Sequence, residues 1–193
     1  MRTVAVCISA ILLLPRAGHA QAPIFAVASA ESSIRFSVKS SVALAGKFDR
    51  WSATLTFPSA DVTTGVLNIR IEAATVDTGS GMKNNKLKGK DFFDVERYPS
   101  ITFQSTKLVQ TGPETLEVDG MFAICGVSRI ETLKLTIPKK GAGTDTIQGV
   151  LVFNRKHYGM DKGIPFVKIE DQVRVGINLK VQQMSGPPLI YRR

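Results

Sequence analysis

The chain has 193 residues, 25 of them Lys or Arg and 16 Asp or Glu, for a net charge of +9, and 44% of it is hydrophobic. That length fits one domain with a substantial buried core, and the positive balance favours anionic partners such as phosphates and acidic membrane surfaces. A nucleic-acid partner is not expected, because the cations alternate with apolar residues instead of clustering with aromatics on one face.

Arg2 precedes an apolar run from Thr3 to Leu14, and Gly18-His19-Ala20 is a small-x-small cleavage site. Residues 1–20 therefore read as a signal peptide cleaved after Ala20. The run is shorter than the about 20 residues that span a bilayer, and Cys7 lies too early for a lipoprotein cleavage site. Residues 21–193 are expected to form a single exported domain, periplasmic or secreted. Cleavage removes Arg2, Arg16 and Cys7, so the domain stays cationic and keeps one cysteine, Cys125, which can form no intramolecular disulfide.

From there the pattern is one strand after another, each with period two. Ile34, Phe36 and Val38 alternate with Arg35, Ser37 and Lys39; Trp51, Ala53, Leu55 and Phe57 alternate with Ser52, Thr54 and Thr56; Leu67, Ile69, Ile71 and Ala73 alternate with Asn68, Arg70 and Glu72. Later runs are Ile101 to Val109, Leu116 to Ile124, Leu133 to Ile137, Ile147 to Phe153 and Val173 to Val181. Eight strands with no strong amphipathic helix between them imply an antiparallel sheet, closed as a barrel or folded as a sandwich. Alternation alone leaves both open.

One stretch, Asp77 to Thr106, interrupts the alternation. Gly79, Ser80 and Gly81 open it, Lys83, Lys86, Lys88 and Lys90 crowd it, Phe92-Phe93 close its polar part, and Pro99 ends it before Ile101 restarts a strand. Such an excursion crosses one end of a sheet or barrel. Within it, Asp91-Phe92-Phe93-Asp94-Val95-Glu96, Tyr98-Pro99 and Ile101-Thr102-Phe103 match the signature of the YceI-like family almost letter for letter, and Asp77-Thr78-Gly79 belongs to the same signature. The resemblance extends from Ile34-Arg35-Phe36 through Gly120, Gly126-Val127, Asn154-Arg155 and Tyr158-Gly159-Met160 to the last strand. It implies an all-β fold: an antiparallel, eight-stranded, lipocalin-like β-barrel with a short helical excursion across one end, holding a polyisoprenoid tail in its lumen.

Catalytic and metal-binding devices are scarce. His157 is the one histidine outside the leader, and with one Cys it cannot complete a zinc shell. No Gly-x-Ser-x-Gly elbow, acidic calcium loop or phosphate-cradling glycine loop is present. Asp77-Thr78-Gly79 looks like an aspartic-protease loop, but that chemistry needs two carboxylates sharing a proton, and Asp-Thr-Gly is also an ordinary turn. No enzyme activity, metal or cofactor is expected, with a dimeric protease using Asp77 as a remote alternative.

The affirmative reading is a lipid-binding protein for carriage or storage. The inward positions Ile34, Phe36, Val38, Leu67, Ile69, Ile71, Phe103, Phe122, Phe153, Val175 and Ile177, with Phe92 and Phe93 from the excursion, would line the lumen. Lys83, Lys86, Lys88 and Lys90 would form a cationic rim for a head group or for transient contact with an anionic membrane. By alternation alone these positions describe a packed core equally well, and an interaction or stress-protective barrel without ligand is the alternative. The chain departs from the family pattern where Lys83-Asn84-Asn85-Lys86-Leu87 replaces Arg-Asp-x-His-Leu, where Cys125 replaces His, and where His157-Tyr158-Gly159 replaces Asp-Phe-Gly. Those changes bear on the polar end of any ligand rather than on the fold.

Overall fold

The computed structural model describes residues 22–137, 144–163 and 166–191; the expected signal peptide and the turn expected at 138–143 lie outside them. The strands are β1 (Ile24–Val27), β2 (Ser33–Ser40), β3 (Leu44–Phe48), β4 (Trp51–Thr56), β5 (Val66–Glu72), β6 (Val76–Asp77), β7 (Ser100–Gln110), β8 (Thr115–Ile124), β9 (Val127–Thr136), β10 (Thr144–Asn154) and β11 (Ile169–Ser185), with one helix, α1 (Gly81–Lys88).

These eleven segments form eight walls. β1 and β2 are one strand broken by a short 3-10 turn at Ser29–Glu31, β3 and β4 are one strand bent at Asp49-Arg50, and β5 and β6 are one strand broken at Ala73–Thr75. β11 pairs antiparallel with β2 through Val175↔Phe36 and with β1 through Val181↔Val27, while β1 meets β4 at Ile24↔Thr56. The circuit closes there, every neighbouring wall is antiparallel, and the order around the barrel follows the chain. Closure gives every wall a neighbour on each side.

The expected alternation is what fills the interior. Ile34, Leu67, Ile69, Ile71, Phe103, Phe122, Phe153 and Ile177 are all buried. Two inward glycines make room for aromatic rings on the neighbouring wall: a Cβ on Gly46 would come within 2.8 Å of the Phe36 ring, and one on Gly120 within 2.5 Å of the Phe103 ring. Rings lying over such glycines pin the register of the strands.

Three strand regions are not marked by alternation in the sequence. β1 is an unbroken apolar run, Ile-Phe-Ala-Val. β3 carries Ala45 and Gly46 where contrast would be needed, and β9 begins six residues before Leu133 because Arg129 and Glu131 occupy positions of inward parity. The excursion between β6 and β7 crosses one end of the barrel, together with the β2–β3 loop, the β8–β9 turn and the β10–β11 connection.

Candidate functional site

The crossing segment is a chain of turns docked on the barrel mouth. α1 presents one buried side chain, Leu87, and its end is tied down by Phe93 N–H donating to Leu87 O (2.9 Å) and Val95 N–H to Lys88 O (3.1 Å). Asp94, at φ 44°, turns the chain back, and its carbonyl accepts from Arg97 N and Tyr98 N (3.0 and 2.8 Å). This geometry sends Phe92 and Phe93 inward. The Phe93 ring lies 6.4 Å from Phe36 and 5.9 Å from Phe48, with Phe36 and Phe48 5.7 Å apart, so three aromatics close the mouth.

Beneath that cap is an apolar void of about 70 Å³ open to the centre of a water-sized sphere. Phe36, Val38, Ile71, Phe92, Phe93, Phe122, Phe153 and Val175 of the expected lumen set line it, joined by Leu44, Phe48, Leu87, Ile101, Met160 and Ile169. A second void of about 30 Å³ lies deeper and shares Ile71, Ile101, Phe122 and Val175 with the first; Ile34, Ile69, Phe103 and Ile177 belong to it. Leu67 is buried but lines neither void. The interior is therefore largely filled, with two stacked apolar gaps along the axis.

Arg155 is the one charged residue lining the upper void and the one buried charged residue among those described. Its guanidinium turns away from the void: Nη1 donates to the carbonyls of Met160 and Lys162 (the latter at 3.1 Å), Nε to Glu170 O (3.3 Å), and Nη2 pairs with Asp171 at 3.2 Å. Lys156 also pairs with Asp171 at 2.9 Å. That bond, followed by the Lys156 and Arg155 charges, holds the Asp171 carboxyl below its ordinary value. The guanidinium thus satisfies the backbone of the β10–β11 connection where it passes over the lumen. In the sequence Asn154-Arg155 is legible as a motif, but the role of Arg155 is not.

Tyr158, fully buried, packs its ring edge-on against Phe122 and Phe153 (5.4 and 5.3 Å) and donates its hydroxyl to Glu131 at 2.7 Å. Burial, then that bond and the Glu131 charge, push the Tyr158 hydroxyl well above the ordinary phenol range. Cys125 sits in a two-residue β8–β9 turn with φ 53° beside Gly126 at φ 75°, the type I′ pattern. Its thiol donates to Phe92 O at 3.0 Å, and burial raises its pKa to about 11.

The four rim lysines lie on α1 and just past it but are not equivalent. Lys83 Nζ donates to Ala43 O at 2.8 Å, and Lys86 pairs with Asp91 at 2.6 Å and stands 5.8 Å over the Phe92 ring. Lys88 is half-buried and Lys90 exposed. Asp77 ends β6 and its side chain braces the turn that follows: Oδ1 accepts from Gly79 N (2.9 Å) and Asn84 Nδ2 (3.4 Å), and Oδ2 lies 3.8 Å from Lys47. The Gly79 bond first, then Asn84, keep its carboxyl below the ordinary value, in the ionised form rather than sharing a proton. His157 is exposed, and among the described residues no group of His, Cys, Asp and Glu could hold a metal ion.

Residues 25–181, which include every strand except the outermost ends of β1 and β11, match the model of the YceI-like domain. The chain belongs to the YceI-like family. It is 30% identical over 96 residues to a UPF0312 protein of Pseudomonas savastanoi, a match spanning about half the length of each chain. To a UPF0312 protein of Shewanella denitrificans it is 28% identical over 129 residues, covering 66% of this chain and 68% of that one. Among solved structures, BcnA of Burkholderia cenocepacia is 30% identical with a TM-score of 0.73, over 80% of this chain and 99% of that one. A polyisoprenoid-binding domain from Saccharophagus degradans, 16% identical with a TM-score of 0.64 over 83% of this chain and 99% of that one, shares the fold. The YceI-like barrel is thus the common frame.

Proposed function

We propose that this YceI-like protein binds the tail of a polyisoprenoid lipid, a prenol, prenyl phosphate or quinone, in the barrel lumen and carries or stores it. The observation that carries the reading is the wholly apolar void under the Phe36–Phe48–Phe93 cap. An isoprenoid tail offers only apolar surface, and each Å² it hides from water contributes about 25 cal/mol without any directed contact. The Saccharophagus domain is described as polyisoprenoid-binding, which supports the same class of ligand here.

The voids of about 70 and 30 Å³ are smaller than the roughly 300–1,000 Å³ of ordinary ligand pockets. Uptake of a long tail therefore requires the capping aromatics to swing and the two gaps to merge, which Phe122 and Ile71, lining both, allow. The reading includes export: the leader at 1–20 would be removed after Ala20, and N-terminal sequencing of the protein from its own host would then begin at Gln21. The ligand is tested by native mass spectrometry of that protein with identification of the extracted lipid. A bound prenyl lipid is the expected result. Protein recovered consistently free of lipid, with Phe103→Trp emission unmoved by added isoprenoid, would overturn the reading in favour of a packed barrel acting through its surface.

A further inference from the structure

Phe166 and Met82 are the two most exposed large apolar side chains among the described residues, at 107% and 84% of full exposure; Val42 is 44% exposed. They come from two loops and from α1, three segments that hydrogen bonds join at the same end of the barrel. Ser41 N donates to Lys168 O (2.9 Å) and Lys168 N to Ser41 Oγ (3.1 Å), which seats the loop carrying Val42 against the segment carrying Phe166. On the other flank Lys83 Nζ donates to Ala43 O, which ties the same loop to α1 beside Met82. The Val42 loop is therefore tied on one flank to the segment that carries Phe166 and on the other to α1, which carries Met82. The next residues inward along the three segments, Leu44, Leu87 and Ile169, line the upper void, so the exposed tips lie on the lip of the mouth.

The charge around these tips is mostly positive. Residues 41–43, 81–91, 161–163 and 166–168 carry Lys83, Lys86, Lys88, Lys90, Lys162 and Lys168 against two carboxylates, Asp161 and the Asp91 that pairs with Lys86. Exposed apolar tips flanked by an excess of cations match an anionic bilayer, where the tips enter the interface and the ammonium groups stay at head-group level.

We propose that Val42, Met82 and Phe166 form a bilayer-inserting lip through which a lipid tail passes between an anionic membrane and the lumen. The destination of the tail rests on the lumen reading above; the docking itself does not. The lip also gives Lys83 a second duty, as the strut holding the Val42 loop to α1.

The test uses the whole protein with vesicles of phosphatidylglycerol and phosphatidylcholine, or of phosphatidylcholine alone, at low and high salt. Phe166→Trp should be quenched by brominated acyl chains in the anionic vesicles. The double variant Met82→Ser with Phe166→Ser should bind those vesicles about tenfold more weakly, while Met184→Ser, an exposed methionine on β11 away from the mouth, should change nothing. All three sites are exposed, so the melting temperature should hold. Absence of quenching, or equal binding by the lip variant and the Met184 control, would overturn the proposal, as would failure to bind any vesicle. Native mass spectrometry on the same samples separates the two readings: lipid-free protein that still docks removes the lumen reading alone, and lipid-loaded protein that ignores vesicles removes the lip alone.

Discussion

Arg155 is a cation with almost no contact with water, and its place is explained by what it donates to. It supplies hydrogen bonds to two carbonyls of the β10–β11 connection, to the Glu170 carbonyl at the start of β11, and to a carboxylate that Lys156 also holds. Arg155→Met would keep the apolar stem against the lumen but leave those carbonyls without their donor, and is expected to cost about 2–4 kcal/mol in urea unfolding. Arg155→Lys, with a single ammonium in place of a planar fork, should recover only part of it. Cys125 gives a second prediction. With its thiol pKa raised to about 11 by burial, and bonded to Phe92 O, it stays protonated at neutral pH. Alkylation by iodoacetamide should be far slower than for an exposed thiol and should rise to the ordinary rate in urea. Because the folded thiol titrates above its ordinary value of 9.0, its share of stability is intact below pH 9 and is lost as pH climbs toward 11. Neither role was legible in sequence, since a lone Arg or Cys in a motif says nothing of which carbonyls a later loop will bring to it.

The β8–β9 turn shows how an element reads from local chemistry alone. Gly126-Val127 marks a strand start, and positive φ at Cys125 and Gly126 gives the twist that a two-residue hairpin needs. What the local pattern does not reveal is that Gly126 is also a packing surface: a Cβ there would come within 2.4 Å of the Tyr98 ring, at the end of the crossing segment. Gly126→Ala should therefore cost more than its backbone strain of about 1–3 kcal/mol and should loosen the crossing segment, detectable as faster proteolysis between residues 89 and 98. Strands with clean alternation, such as β5 and β11, were legible because one face is wet and the other dry. β1 lacks that contrast and β9 inverts it, with Arg129 and Glu131 at positions of inward parity. The helical excursion was legible from its turn residues, while its seat on the barrel mouth depends on Leu87, Phe92 and Phe93 meeting residues far away in the chain.

At the scale of the whole barrel the walls are unequally joined. β8 pairs with β9 at ten positions and β10 with β11 at eleven, but β9 pairs with β10 only at Lys134, Leu135 and Thr136. On the mouth side of that short ladder the space between the two strands is bridged by Tyr158 and its bond to Glu131. Hydrogen exchange should be fastest, among the strands, in 127–133 and 151–154, and Tyr158→Phe should speed it there further while sparing β7 and β8. Uniform exchange around the barrel would contradict this unequal jointing. The circuit has a second consequence, one of timing. Seven of the eight junctions join walls that follow one another in the chain, but the eighth joins Ala28 N to Lys180 O across most of its length. Through synthesis the N-terminal wall waits with one side unpaired and the apolar trough uncovered until β11, which alone pairs with β10, β2 and β1, has emerged. The slow loop closure of that last junction makes the incomplete chain an open, adhesive sheet, and a stop codon within β11 would weaken three ladders in a single stroke.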